Sequence, residues 1–136
     1  MKGMGRYLRI GLAVAVILAA ALLLPRIAST RENMAAAADA RDLLIVARGM
    51  TYYVDGGGRP NPSLQFRAGE RIRLTFRNED AGMEHDFAIP GWQLATKRLA
   101  GKGEDVVEFR VPGDGGSGRY ACTPHSEMMN GQVIVE

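Results

Sequence analysis

With 136 residues, 46% of them apolar and 24% charged, the chain has room for one domain plus an appendage, and so for one fold and one site. The net charge of +2 is unevenly spread: residues 1–30 hold four of the 17 basic residues (Lys2, Arg6, Arg9, Arg26) and no acidic one, which leaves 13 basic against 15 acidic in the remainder. The excess positive charge is thus confined to the N-terminal segment, and no basic cluster is left in the domain to serve a nucleic-acid partner, a class we exclude.

Lys2, Arg6 and Arg9 precede fifteen uncharged, mostly apolar residues from Ile10 to Leu24, followed by Pro25-Arg26. This is the layout of a secretory signal or an apolar signal-anchor helix over residues 1–25. As a helix the apolar run spans about 22 Å, short of a ~30 Å hydrocarbon core unless Arg9 and Arg26 snorkel outward. Ile27 stands where an Ile-Ala-Ser cleavage site needs a small residue, which favours a retained inner-membrane anchor over a removed signal. In both cases the positive flank keeps that end in the cytoplasm and places the domain outside it, in the periplasm or an equivalent space, or free there if the signal is cleaved. Residues 26–40, with the alanine run Ala35–Ala38, read as a linker.

From Arg41 to Glu136 the pattern changes to short apolar or alternating runs punctuated by Gly, Pro, Asn and Asp, the signature of strands joined by turns. Strands are predicted at Leu43–Ala47, Met50–Val54, Ser63–Arg67, Arg71–Arg77, His85–Ile89, Val106–Val111, Gly118–Cys122 and Gln132–Glu136. The clearest is Arg71–Arg77, in which Ile72, Leu74 and Phe76 alternate with Arg71, Arg73, Thr75 and Arg77; a helix there would bury arginine. Trp92–Leu99 is ambiguous and has room for a helical turn. Seven or eight strands in this length fit two packed antiparallel sheets, an all-β Greek-key sandwich over residues 41–136.

The chemistry concentrates in Tyr120-Ala121-Cys122-Thr123-Pro124-His125-Ser126-Glu127-Met128-Met129-Asn130-Gly131, between the last two predicted strands. A thiolate, an imidazole and two thioethers share one loop there, and Pro124 keeps the loop from continuing as strand ladder. Cys122 is the only cysteine, so in an oxidising compartment it has no internal disulfide partner. The chain has two histidines, and the second, His85, opens a short predicted strand. Taken singly, Cys122, His85 and the methionines read as core residues. Taken together, two imidazoles, one thiolate and one thioether form the His₂Cys set with a weak axial Met that suits a single type 1 copper cycling between Cu(I) and Cu(II). Zinc gains little from a thioether.

The same segment resembles the copper loop of the plastocyanin, amicyanin and azurin proteins, the cupredoxins, and the resemblance runs from about Leu43 to Glu136. Cys-Thr-Pro-His matches the short turn of amicyanin-like members. The resemblance implies a cupredoxin fold with His85, Cys122 and His125 as equatorial copper ligands. For the axial ligand, amicyanin-like spacing selects Met128 and azurin-like spacing selects Met129, while alignment on Met129-Asn130-Gly131 favours Met129. Asp86 departs from the Asn that many members carry after the first histidine; it retains the capacity to accept hydrogen bonds from the Thr123 region. The resemblance further implies redox protein partners that dock near His125 on a patch for which Pro90, Pro124, Met83 and Met128 are candidates.

A monomeric carrier of single electrons is therefore expected, with a copper carrier, storage or oxidase-assembly protein as the alternative. An enzyme is not expected, because copper oxidases and nitrite reductases need further histidines that this chain lacks. Trp92 and Tyr120 read as core aromatics, and Glu79, Asp80 and Glu84 as a solvated loop.

Overall fold

Alternation of side chains drives the two central strands of the domain. In β1 (Arg41–Ala47) and β4 (Arg71–Asn78), Leu43, Ile45, Ile72, Leu74 and Phe76 point inward and are buried. The opposite face of β4 carries arginines that meet carboxylates directly across on β7 (Gly103–Arg110): Arg77–Glu104 at 2.6 Å and Arg73–Glu108 at 3.7 Å. Exposed pairs of this kind contribute about 1 kcal/mol or less each, but opposite charges in register disfavour a slip of one residue.

The structure, a computed structural model, describes residues 39–113 and 116–136. The expected N-terminal helix and nearly all of the linker lie outside those residues, and among the described residues no helix is long and apolar enough to cross a membrane. Among the described residues nine strands form two sheets. One has the order β2-β1-β4-β7, with β2 at Tyr52–Val54. The other has the order β3-β9-β8-β5-β6, with β3 at Leu64–Phe66, β5 at Ala88–Ile89, β6 at Leu94–Ala95, β8 at Gly118–Ala121 and β9 at Asn130–Val135.

Three expectations need correction. The sheets are mixed and not wholly antiparallel: β1 runs parallel to β4 and β3 parallel to β9. After β2 the chain crosses to the second sheet as β3, so it returns as β4 in the same direction as β1. The strand expected at His85–Ile89 is reduced to Ala88–Ile89, while His85 makes an isolated bridge, donating to the Leu99 carbonyl at 3.1 Å and accepting from the Leu99 N–H at 2.8 Å. Phe87 binds Thr96 by both backbone groups, using the Thr96 hydroxyl as one partner, which interrupts regular pairing. The ambiguous segment resolves into a 3₁₀ turn at Pro90–Trp92, opened by the proline, and the two-residue β6, which raises the strand count to nine.

The core between the sheets is aromatic at its centre. Tyr52 lies edge-on to Phe76, Phe87 and Tyr120, and Phe87 stacks on Tyr120 with centroids 5.3 Å apart. Burial pushes both phenols well above their usual range, so they act as neutral donors. Tyr52 donates to the Asp86 carbonyl and Tyr120 to the Pro62 carbonyl. Trp92 packs against Phe66 and Phe109, a core position as expected.

Candidate metal centre

Cys122 follows β8 and Met129 precedes β9, and these neighbouring strands pair Ala121 with Asn130. The loop between them is therefore a closed end of the second sheet, cinched by the Cys122 N–H donating to the Met129 carbonyl at 2.9 Å. Inside it Cys122 is extended, and Pro124 starts a 3₁₀ turn over Thr123–His125. The His125 N–H donates to the Cys122 carbonyl at 3.1 Å, and the His125 carbonyl accepts from the N–H groups of Met128 and Met129. Asn130 caps the turn through the carbonyls of Ser126 and Glu127. These bonds point Cys122 and His125 to one side.

His85 arrives from the other segment, after the loop that follows β4. Its Nδ1 lies 3.6 Å from Cys122 Sγ, and His125 Nδ1 lies 3.6 Å from the same sulfur. All three donor atoms fall within 4.8 Å of one another. Metal–nitrogen bonds of about 2.0–2.1 Å and a metal–sulfur bond of about 2.3 Å, set at a trigonal angle, require a donor separation of about 3.7 Å. The observed spacing meets that requirement, so the residues fit one metal ion. His85 and Cys122 are fully buried, whereas His125 is partly exposed.

The two candidate methionines separate by burial. Met129 has no exposed surface and belongs to the core, while Met128 is 58% exposed. With His85, Cys122 and His125, Met129 completes a type 1 copper cluster. Burial pushes the Cys122 thiol up. The free protein therefore holds a neutral thiol whose proton must leave when a metal binds.

Asp86 does what was expected of it: its Oδ1 accepts from the Thr123 N–H at 2.6 Å, fastening the two ligand segments, and its other oxygen lies 3.6 Å from Arg98. Two residues were missed by the sequence reading. Asn61 donates to the Met128 carbonyl at 3.0 Å and accepts from the Tyr52 N–H at 2.9 Å, tying the copper loop to the first sheet; in sequence it is only the middle of a Pro-Asn-Pro turn. Asp80 was assigned to a solvated loop, yet its Oδ2 lies 3.1 Å from His85 Nε2. The only sequence signal for it is an acidic residue in the short connection that ends on His85.

Sandwich and donor set together define a blue copper protein of the cupredoxin class. Residues 75–136 match the family described as copper binding proteins, plastocyanin/azurin family. That stretch holds His85, Cys122, His125 and both candidate methionines, so the copper-bearing part of the chain is similar to the plastocyanin/azurin family. Among solved structures the fold is similar to auracyanin A, a "blue" copper protein of Chloroflexus aurantiacus, at 16% identity and a TM-score of 0.58 over 71% of this chain and 98% of that one. Auracyanin from Roseiflexus castenholzii gives 18% and 0.58 over 71% and 98%. Rusticyanin from Thiobacillus ferrooxidans gives 22% and 0.54 over 72% and 78%. No curated protein sequence matches the chain.

Proposed function

We propose that this protein carries single electrons between redox proteins outside the cytoplasm, as a monomer tethered to the inner membrane by its N-terminal apolar segment. The observation that carries the reading is the asymmetry of the ligand set: His85 and Cys122 are sealed in the core, while His125 alone of the three is partly exposed. When bound, copper supplies a one-electron Cu(II)/Cu(I) couple. The residues supply the rest. Loop hydrogen bonds and the Asp86–Thr123 contact hold the donors in place before and after the charge changes, which keeps rearrangement small. His125 offers its ring to a partner. Pro124 beside it is exposed, Met128 follows on the same loop, and Met83 is 37% exposed just before His85, surfaces suited to brief apolar docking.

The apolar segment from Ile10 to Leu24 behind a basic flank supports the membrane and extracytoplasmic placement. The exposed thioethers of Met83 and Met128 favour a second reading, a copper carrier that passes Cu(I) to an acceptor. The test is to load the full-length protein in detergent with Cu(II), record visible absorption and electron paramagnetic resonance, and cycle it with a reductant and an oxidant. An intense thiolate-to-copper band with narrow hyperfine splitting that survives repeated cycles is expected. Copper that leaves to a Cu(I) chelator on each reduction supports the carrier, and a colourless product sinks the electron-transfer reading.

Met129→Leu removes the buried thioether, leaving three donors that favour Cu(I), and is expected to raise the reduction potential and shift the spectrum. Met128→Leu, at a surface position, is expected to leave both unchanged. Voltammetry on the two variants checks the axial assignment, which fails if the effects are reversed.

A further inference from the structure

We infer that Asp80 is a positioning residue for the copper centre: its carboxylate holds the His85 imidazole with the proton on Nε2 and Nδ1 bare toward Cys122, and its charge lowers the reduction potential. The inference rests on the type 1 copper reading for its redox half, while the tautomer half concerns the metal-free protein alone.

His85 has no exposed surface, so each ring nitrogen must be satisfied within the protein. Nδ1 faces the Cys122 sulfur at 3.6 Å, and Nε2 faces Asp80 Oδ2 at 3.1 Å. A carboxylate accepts only, so in the neutral ring Nε2 carries the hydrogen and Nδ1 keeps the lone pair a metal requires.

Asp80 is itself held. Its carboxylate oxygens accept from the Gly49 N–H at 3.0 and 2.9 Å, and its own N–H donates to Asn78 Oδ1 at 3.0 Å. Gly49 has φ +59, a left-handed backbone that glycine adopts without strain. Asn78 is buried and donates to the carbonyls of Met83 and Leu99, which brace both ends of the His85 approach. The carboxylate therefore cannot swing away to solvent without breaking contacts on two segments.

Its charge is also unshared. Among the described residues no arginine or lysine pairs with Asp80, whose one such contact is the His85 ring, whereas the Asp86 carboxylate lies near Arg98. An anion hydrogen-bonded to a ligand makes that ligand a stronger donor and stabilises the more highly charged Cu(II). The side chain of Asp80 is 19% exposed, so water only partly screens this effect.

Asp80→Asn keeps an acceptor oxygen but loses the charge; Asp80→Ala loses both. In the metal-free full-length protein, proton–nitrogen correlation spectra of the His85 ring are expected to show the hydrogen on Nε2 in the wild type and Asp80→Asn, and a mixture in Asp80→Ala. In the copper-loaded protein, Asp80→Asn is expected to keep the intense band while its preference for Cu(II) over Cu(I) falls about tenfold, an upward shift of ~59 mV for a one-electron couple. Asp80→Ala is expected to lose about 10- to 100-fold in copper affinity. Thermal unfolding of the metal-free variants separates loss of fold from loss of tuning, since a purely structural role moves the melting curve and leaves the potential of the blue form alone. An Asp80→Asn protein that is blue with an unchanged potential overturns the redox half and leaves the copper reading standing. A metal-free wild type with the hydrogen on Nδ1 overturns the positioning half. A wild type that forms no blue site overturns the copper reading and with it the redox half.

Discussion

Cys122→Ser will abolish the blue centre while leaving the domain folded. The thiolate supplies the intense absorption and is the sole anionic donor among His85, Cys122, His125 and Met129, so its loss leaves a neutral site in a buried pocket facing a cation. A serine hydroxyl does not ionise under these conditions. Copper affinity is expected to fall by at least two orders of magnitude, about 3 kcal/mol. The fold is expected to survive, because the smaller hydroxyl finds a partner in His85 Nδ1, which already faces position 122. Far-ultraviolet circular dichroism and a Cu(II) titration followed in the visible separate the two effects. An intense band in the serine variant would refute Cys122 as the ligand.

The same residue sets the pH dependence. Burial raises the Cys122 thiol above its ordinary value, so at neutral pH the free protein carries the proton and copper must displace it. Each unit by which pH falls then costs about tenfold in apparent affinity, and binding in weak buffer releases one proton. In the serine variant the thiol proton is absent, and that release disappears with the affinity.

Gly131→Ala is expected to cost more stability than any other glycine replacement in the described domain. A Cβ placed on Gly131 would lie 2.3 Å from the Tyr120 hydroxyl oxygen, 2.4 Å from Cζ and 2.6 Å from Cε1, distances that no relaxation of a few tenths of an ångström relieves. Tyr120 is the cross-strand partner of Gly131 and lies over its bare backbone. It cannot retreat, being stacked on Phe87, set against Tyr52 and bonded to the Pro62 carbonyl at 2.7 Å. Overpacking of this kind costs about 3 kcal/mol or more, which lowers the melting temperature of a domain this size by more than ~10 °C. Gly118→Ala, in the neighbouring strand with open space at its Cβ, is the control and is expected to change little. Because Met129 stands two residues before Gly131, the copper-loaded variant should also show a perturbed spectrum. Equal melting curves for Gly131→Ala and Gly118→Ala would refute the packing argument.

That glycine shows how far the pattern of residues could be read. The last strand is expected only from Gln132, yet Gly131 lies inside β9, and its lack of a side chain makes room for Tyr120 across the ladder. The strand at Arg71–Arg77 was legible because period-two alternation states directly which face is wet. The partners of that strand were not: alternation assigns a residue to a face but not to a neighbour, so the parallel pairings of β1 with β4 and β3 with β9 could not be read from it. The strand expected at His85–Ile89 leaves out His85, whose backbone partner is Leu99, reached only when the chain doubles back.

The donor inventory was determined by the sequence alone, for a simple reason. A chain with one cysteine and two histidines leaves a thiolate–imidazole copper site no other nitrogen and sulfur donors of those types, and Cys-Thr-Pro-His binds two of the three into one short loop. What only the tertiary structure decided is everything that depends on distant segments meeting. Met128 and Met129 are chemically identical neighbours, and burial in the core distinguishes them. Asp80 is one acidic residue among several before His85, and it becomes the partner of the imidazole because Gly49 holds its carboxylate and Asn78 its backbone N–H, which sets it against Nε2. Composition and spacing specify which groups are available to a metal; the fold specifies which of them face it and what stands behind them.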